Sequence, residues 1–93
     1  MPGLRMESTE RLLLQALLKG LGDAVGGNDG SAGDRYHRRI TLIGRHFETN
    51  PKISGALERL LSVSALWLTT KTAERYQVGQ QVFDRIERVI ELL

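Results

Sequence analysis

The chain has 93 residues and a formal net charge of +2, and 41% of its residues are hydrophobic. This length allows one domain with a modest core, and so small a net charge does not by itself indicate a polyanionic partner. Because the chain has no cysteine, disulfides, thiol catalysis and cysteine-bound metals are excluded, and we expect a reducing compartment, the cytoplasm.

No segment is expected to span a membrane. The most apolar stretch, residues 12–21, is interrupted by Gln15 and Lys19, whereas a transmembrane helix needs about 20 apolar residues. Glu7 and Glu10 precede this stretch, at the place where a secretory signal carries positive charge. A signal peptide is therefore not expected either.

The first helix is predicted over residues 8–21, with Ser8 as its N-cap. Apolar side chains surround most of this helix, and only Arg11, Gln15 and Lys19 form a polar stripe. More than half of the helix surface therefore needs cover. We expect a central position in the core or an interface with another molecule.

Glycine interrupts this pattern, since six of the residues between 20 and 33 are glycine. Such a segment has much backbone entropy to lose, and it predicts a flexible Gly-rich loop over residues 22–34. The glycine spacing does not match a dinucleotide-binding or P-loop motif. Asp23, Asn28 and Asp29 lack the ligand spacing of an EF-hand, so we interpret the segment as a connector.

A second helix is predicted over residues 35–49, with Asp34 as a candidate N-cap. Tyr36, Ile40, Ile43 and Phe47 recur at helical spacing and form one face. Gly44 weakens this prediction by about 1 kcal/mol relative to alanine. A strand through residues 39–43 is the alternative, because isoleucine and threonine favour sheets.

Asn50 and Pro51 predict the start of a third helix over residues 51–70, because asparagine caps helices and proline suits the first turn. A fourth helix is predicted over residues 73–93. Residues 69–72 are either a turn or a weak point within one long helix. The last segment carries a packing seam at 3-4 spacing, formed by Gly79, Val82, Ile86, Val89 and Leu93. The predicted fold is all-α, a small three- to four-helix bundle with the Gly-rich loop after helix 1.

Catalytic and metal sites are not indicated. His37 and His46 are nine residues apart, which places them about half a turn out of phase on one helix, so we interpret both as surface residues. No serine or threonine has a recognisable base partner. We expect a protein that is not an enzyme and that needs no cofactor or metal.

The basic cluster of residues 35–46 is the first candidate binding surface. It contains Arg35, Arg38, Arg39 and Arg45 and no acidic residue. On a helix these arginines project away from the apolar face, and their planar guanidinium groups suit phosphate or carboxylate. The segment is therefore either a site for an anionic partner such as nucleic acid or a solvated surface.

An apolar surplus is the second candidate surface. The chain has more large apolar side chains than the predicted core faces accommodate, and we expect the surplus to contact a protein partner or a second copy. The candidate residues are Leu12, Leu14, Leu18, Leu66, Leu68, Val82, Ile86, Val89 and Leu93. The sequence thus predicts a non-catalytic protein-interaction subunit, with nucleic-acid binding through the basic helix as the alternative.

Overall fold

The protein is helical throughout the residues that the structure describes. The computed structural model describes the backbone of residues 2–93 and the side chains of residues 8–93. The elements are α1 (Pro2–Gly26), α2 (Gly30–Ile43), a 3-10 segment (Gly44–Phe47), α3 (Pro51–Thr69), a second 3-10 segment (Thr72–Glu74) and α4 (Arg75–Leu92). The predicted all-α class is confirmed, and the alternative of a strand at residues 39–43 is wrong.

Helix α1 is longer than predicted at both ends. It begins at Pro2, because proline is well suited to the first helical position, so Ser8 lies inside the helix and is not its cap. It also continues through Gly20 and Gly22 to Gly26. Two side chains in this extension, at positions 24 and 25, are buried, and their burial offsets a glycine cost of about 1 kcal/mol per residue.

The predicted loop over residues 22–34 is therefore wrong, and only residues 27–29 connect α1 to α2. Asn28 has a φ of 53°, the left-handed conformation that asparagine tolerates better than most residues. The Asp29 carboxylate accepts a hydrogen bond from the Ala32 backbone N–H at 3.0 Å. This cap starts α2 at Gly30, so Asp34 is not the N-cap.

Two of the glycines in this region mark close helix contacts. A methyl group at Gly20 would overlap the Tyr36 ring, and one at Gly33 would lie 2.7 Å from Cζ3 of Trp67. Glycine at these positions lets α1 approach α2, and α2 approach α3, more closely than a larger residue would allow. The glycine enrichment thus reflects packing between helices.

Helix α3 begins where the Asn-Pro pair predicts. The Asn50 Oδ1 atom accepts a hydrogen bond from the Ile53 backbone N–H at 3.3 Å, and Pro51 occupies the first turn. The helix ends at Thr69, and Thr70 has extended backbone angles, a φ of −80° and a ψ of 143°. Helices α3 and α4 are therefore separate.

Helices that are consecutive in the chain pack against each other, and α4 also packs against α1. Glu10 contacts His46 near the start of α1, and Gly20 lies against Tyr36 further along, so α1 and α2 are antiparallel. The Arg11 guanidinium likewise donates to the Leu93 carbonyl oxygen at 3.0 Å, which brings the start of α1 to the end of α4. The molecule measures 48 × 20 × 18 Å.

No helix in the described part of the chain is long and apolar enough to cross a bilayer.

All four helices contribute to one apolar core. The core residues are Leu14, Leu17, Leu18, Leu21, Val25, Ile40, Ile43, Phe47, Ile53, Ala56, Leu57, Leu60, Trp67, Val82, Ile86 and Val89.

Candidate functional site

Five of the nine predicted apolar contact residues belong to the protein's own core. Leu14, Leu18, Val82, Ile86 and Val89 are buried among the helices. A partner that docks on the folded molecule cannot reach them, so their assignment to a partner surface is corrected. Contacts with both α2 and α4 explain the buried leucines of α1, whereas Leu12 and Leu13 stay exposed.

The other four predicted apolar residues do not form one surface. Leu12 and Leu66 are exposed, at 68% and 52%, whereas Leu68 and Leu93 are half-buried. Leu66 lines a hollow between α3 and α4, and Leu12 lies on α1. Isolated exposed leucines are common on protein surfaces and carry little functional information.

A groove between α1 and α2 does bring exposed apolar side chains together. Leu13 of α1 and Leu42 of α2 are 48% and 59% exposed, and both line the same cavity of about 320 Å³. Leu17 and Ile43 form its buried floor, and Arg39 and His46 also line it. We call this cavity the α1/α2 groove.

Leu42 has an unusual position on its helix. At about 100° per residue it lies on the opposite side of α2 from Ile40, which is fully buried. Arg38 and Arg39 precede Leu42 by about one turn and Arg45 follows it, so an apolar side chain lies within a basic surface. Leu13 and Leu42 were not among the contact residues predicted from the sequence. Leu42 does carry a local signal, because it is an apolar residue outside the apolar face formed by Tyr36, Ile40 and Ile43.

The four predicted arginines are all exposed and lie on the outer side of α2 and the segment after it. We call this set the arginine face. The Arg38 Nε atom is 3.1 Å from the Asp34 carboxylate in an exposed pair, which contributes little to stability. Among the described residues no ion pair is formed by Arg35, Arg39 or Arg45, so their charge is available to a partner.

The two histidines have different environments. His46 is exposed, and its Nδ1 atom is 3.0 Å from the Glu10 carboxylate, so it joins α1 to the segment after α2. His37 is half-buried, and its Nδ1 atom is 3.0 Å from Ser64 Oγ in α3. The interpretation of His37 as a surface residue is therefore wrong.

Burial lowers the pKa of His37 below its ordinary value of 6.5, because desolvation disfavours the charged imidazolium. Asp34 opposes this change and raises the pKa, while Arg38 lowers it further.

The His37–Ser64 pair does not form an accessible nucleophile. Ser64 is fully buried, so its hydroxyl has no path to a substrate, and the pair acts as a polar contact between α2 and α3. Within residues 8–93, no three histidine or carboxylate side chains are grouped so that they could hold a metal ion.

Comparisons with known proteins do not add a functional assignment. No protein-family model matches the sequence, and no curated protein or solved structure matches it significantly. The function is therefore argued from the geometry of the α1/α2 groove and the arginine face.

Proposed function

We propose that this chain is a non-catalytic protein-interaction subunit of the cytoplasm, an adaptor, small chaperone or component of an assembly built on a helical bundle. It binds an acidic amphipathic helix of a partner protein in the α1/α2 groove. One observation carries this proposal: Leu13 and Leu42 are exposed in the same groove, and the arginine face surrounds Leu42.

The apolar part of the groove supplies affinity. Full burial of an exposed leucine is worth about 1.5–3 kcal/mol, and two leucines across one groove can receive apolar residues at helical spacing from a docked helix. Leu17 and Ile43 already form a buried floor, so a docked side chain would contact apolar groups on several sides.

The charge around the groove favours an acidic partner. Arg35, Arg38, Arg39 and Arg45 border the exposed Leu42, and arginine forms bidentate hydrogen bonds with carboxylates. A two-fold symmetric contact between copies would bring the arginine faces together, and like charges at close range are unfavourable. An acidic segment of another protein satisfies both the apolar and the charged features.

A binding assay with defined peptides tests this proposal. The probe is a fluorescent alanine-based helical peptide with leucine at i and i+4 and glutamate at positions flanking them, and its anisotropy is measured as protein is added. We expect Leu42→Ser and Leu13→Ser to weaken binding by about tenfold each, the equivalent of about 1.4 kcal/mol. Leu12→Ser is the matched control, because Leu12 is an even more exposed leucine that lies outside the groove.

Three results would contradict the proposal. The wild-type protein could fail to distinguish the acidic peptide from a basic peptide with the same leucines. Leu12→Ser could weaken binding as much as Leu42→Ser does. Sedimentation could also show a dimer that Leu42→Ser dissociates, which would make a second copy the occupant of the groove.

Nucleic-acid binding through the arginine face is the second candidate function. The exposure of all four arginines supports it, because each could contact a backbone phosphate. Four contacts predict a log–log salt dependence with a slope of about −3 to −4 for duplex DNA. Absence of DNA and RNA binding in about 50 mM salt, or binding that survives Arg38→Glu with Arg39→Glu, would exclude this function.

A further inference from the structure

A second cavity lies between α3 and α4, and it shares no lining residue with the α1/α2 groove. Its volume is about 310 Å³, and its charged lining consists of Lys52 and Arg59 from α3 and Arg85 and Arg88 from α4. Among residues 8–93, no acidic side chain lines it. We call it the α3/α4 cavity, and it is independent of the groove assigned to the protein partner.

The cations of this cavity have few ion-pair partners among the described residues, although Glu58 lines the adjoining hollow together with Arg59 and Arg85. Arg88 makes one exposed ion pair, in which its Nη1 atom is 3.3 Å from Glu91. Lys52, Arg59 and Arg85 form no ion pair with any residue that the structure describes. Cations that gather around one small space repel each other, and an anion between them would remove that repulsion.

Gly55 provides a separate indication that something approaches this cavity closely. It lines the cavity from within α3, where glycine costs about 0.5–1 kcal/mol relative to alanine. A methyl group at Gly55 would meet no atom of the described part of the chain within 4 Å. Gly20 and Gly33, in contrast, are explained by the rings packed against them, so Gly55 preserves space that the folded chain itself does not use.

We propose that the α3/α4 cavity binds a small anion carrying several phosphate groups. Arginine side chains from two helices present planar donor groups that match phosphate oxygens, and Gly55 with Ala56 leaves the room that the anion occupies. Unlike the α1/α2 groove, the cavity is lined by no exposed large apolar side chain of the described residues that a partner helix would cover. It has no aromatic lining, so it offers no surface for stacking a base.

A free oligophosphate and a multiply phosphorylated lipid headgroup share this chemistry, and the test separates them. Isothermal titration calorimetry with tripolyphosphate measures the free ligand, and co-sedimentation with vesicles that contain such headgroups measures the lipid. We expect the wild-type protein to bind at least one of these probes in about 50 mM salt and more weakly in about 200 mM salt.

The main variant is Arg59→Gln with Arg85→Gln, which removes two charges from the cavity. We expect it to weaken binding by about tenfold or more, because charge-assisted hydrogen bonds to phosphate are lost. The matched control is Lys19→Gln with Lys71→Gln, which lowers the net charge equally at exposed residues outside both the cavity and the arginine face. We expect the control to change the affinity by about twofold or less.

Gly55→Leu tests the space in the cavity without changing charge. Because nothing lies near Gly55, this variant is expected to fold with a Tm at least equal to that of the wild-type protein. Its side chain should fill the cavity and weaken binding by about tenfold or more.

Each outcome of these binding experiments either supports or overturns the proposal of an anion site. Binding of vesicles but not tripolyphosphate supports it and identifies a lipid headgroup as the source. Equal weakening by the two double variants, undiminished binding by Gly55→Leu, or binding of duplex DNA but neither phosphate probe overturns it. Absence of binding to both probes at low salt also overturns it. The proposed function is unaffected by any of these results, because it concerns Leu13 and Leu42.

Discussion

Individual glycines have different roles in this helical chain. Gly33 is buried, and Trp67 lies so close that a Cβ atom would be 2.7 Å from its ring. Gly55 lies at the surface of the α3/α4 cavity with open space around it. The same residue type thus allows close packing in one helix and keeps a cavity open in another.

Replacing these two glycines by alanine is expected to change stability in opposite directions. Gly33→Ala should lower the free energy of unfolding, because its methyl group displaces the buried Trp67 ring. Gly55→Ala should raise it by about 0.5–1 kcal/mol, because alanine reduces the entropy of the unfolded chain and fits the helix. Urea unfolding monitored by circular dichroism measures both, and a change of the same sign in both variants would contradict the packing described.

His37 makes the stability of the fold depend on pH. Its pKa is lowered in the folded protein by burial, whereas in the unfolded chain it takes up a proton near pH 6.5. Below that pH the unfolded state binds more protons than the folded state does. The contribution of His37 to stability is therefore unchanged above about pH 6.5 and becomes more unfavourable as the pH falls below it.

His37→Gln is expected to flatten this dependence, because glutamine does not titrate and retains a polar end for Ser64. The free energy of unfolding of the wild-type protein should fall more steeply than that of the variant between about pH 6.5 and 5, with a difference below about 1.4 kcal/mol per pH unit. Urea unfolding at several pH values gives the two slopes. Parallel slopes would show that the burial of His37 does not control its protonation.

At the scale of elements, Arg75 joins three parts of the fold. Its Nε and Nη2 atoms donate to the carbonyl oxygens of Thr70 and Leu68 at 3.0 and 3.2 Å, which satisfies acceptors at the end of α3. Its Nη1 atom donates to Asn28 in the α1–α2 turn at 3.3 Å. The guanidinium also lies 4.3 Å from the centroid of Trp67, a favourable cation–π distance.

Arg75→Lys is expected to destabilise the protein by about 2 kcal/mol, because a lysine ammonium cannot reproduce the planar fork that reaches three acceptors. Arg59→Lys is the matched control, since Arg59 is exposed and forms no ion pair with the described residues, and its effect should be within about 0.5 kcal/mol. Thermal unfolding of both variants provides the comparison. Equal changes in Tm would mean that the contacts of Arg75 do not support the junction.

At the scale of the whole molecule, α1 carries both buried and exposed leucines. Leu18 is completely buried, and Leu12 is 68% exposed. The two residues are of the same type and have the same helix propensity. The positions of α2 and α4 around α1 therefore determine which of them contributes to stability.

Leu18→Ala is expected to lower the free energy of unfolding by about 2–5 kcal/mol, because it removes buried methyl groups and leaves a cavity. Leu12→Ala should change it by about 0.5 kcal/mol or less. The single tryptophan, Trp67, is buried, so its fluorescence reports the unfolding of both variants. A large effect of Leu12→Ala would indicate that this face of α1 is covered in solution.

The two proposed sites lie between different helix pairs, one at α1 and α2 and one at α3 and α4. A partner helix in the first groove therefore leaves the second cavity open.

The arginine face could be predicted from the sequence, but the α3/α4 cavity could not, because Lys52 and Arg59 are far from Arg85 and Arg88 in the chain. Only the packing of α3 against α4 brings these cations together.

Features that depend on neighbouring residues could be predicted from the amino-acid sequence. Helical periodicity predicted the buried faces of α2 and α4, and Asn50 with Pro51 predicted the start of α3, because capping and amphipathicity act over one or two turns. Only the tertiary structure decided that Gly20 and Gly22 lie inside a helix, that Leu14 is buried while Leu42 is exposed, and which cations share a cavity. The physical reason is that burial and close approach depend on residues distant in the chain, and their free energies exceed local helix propensities.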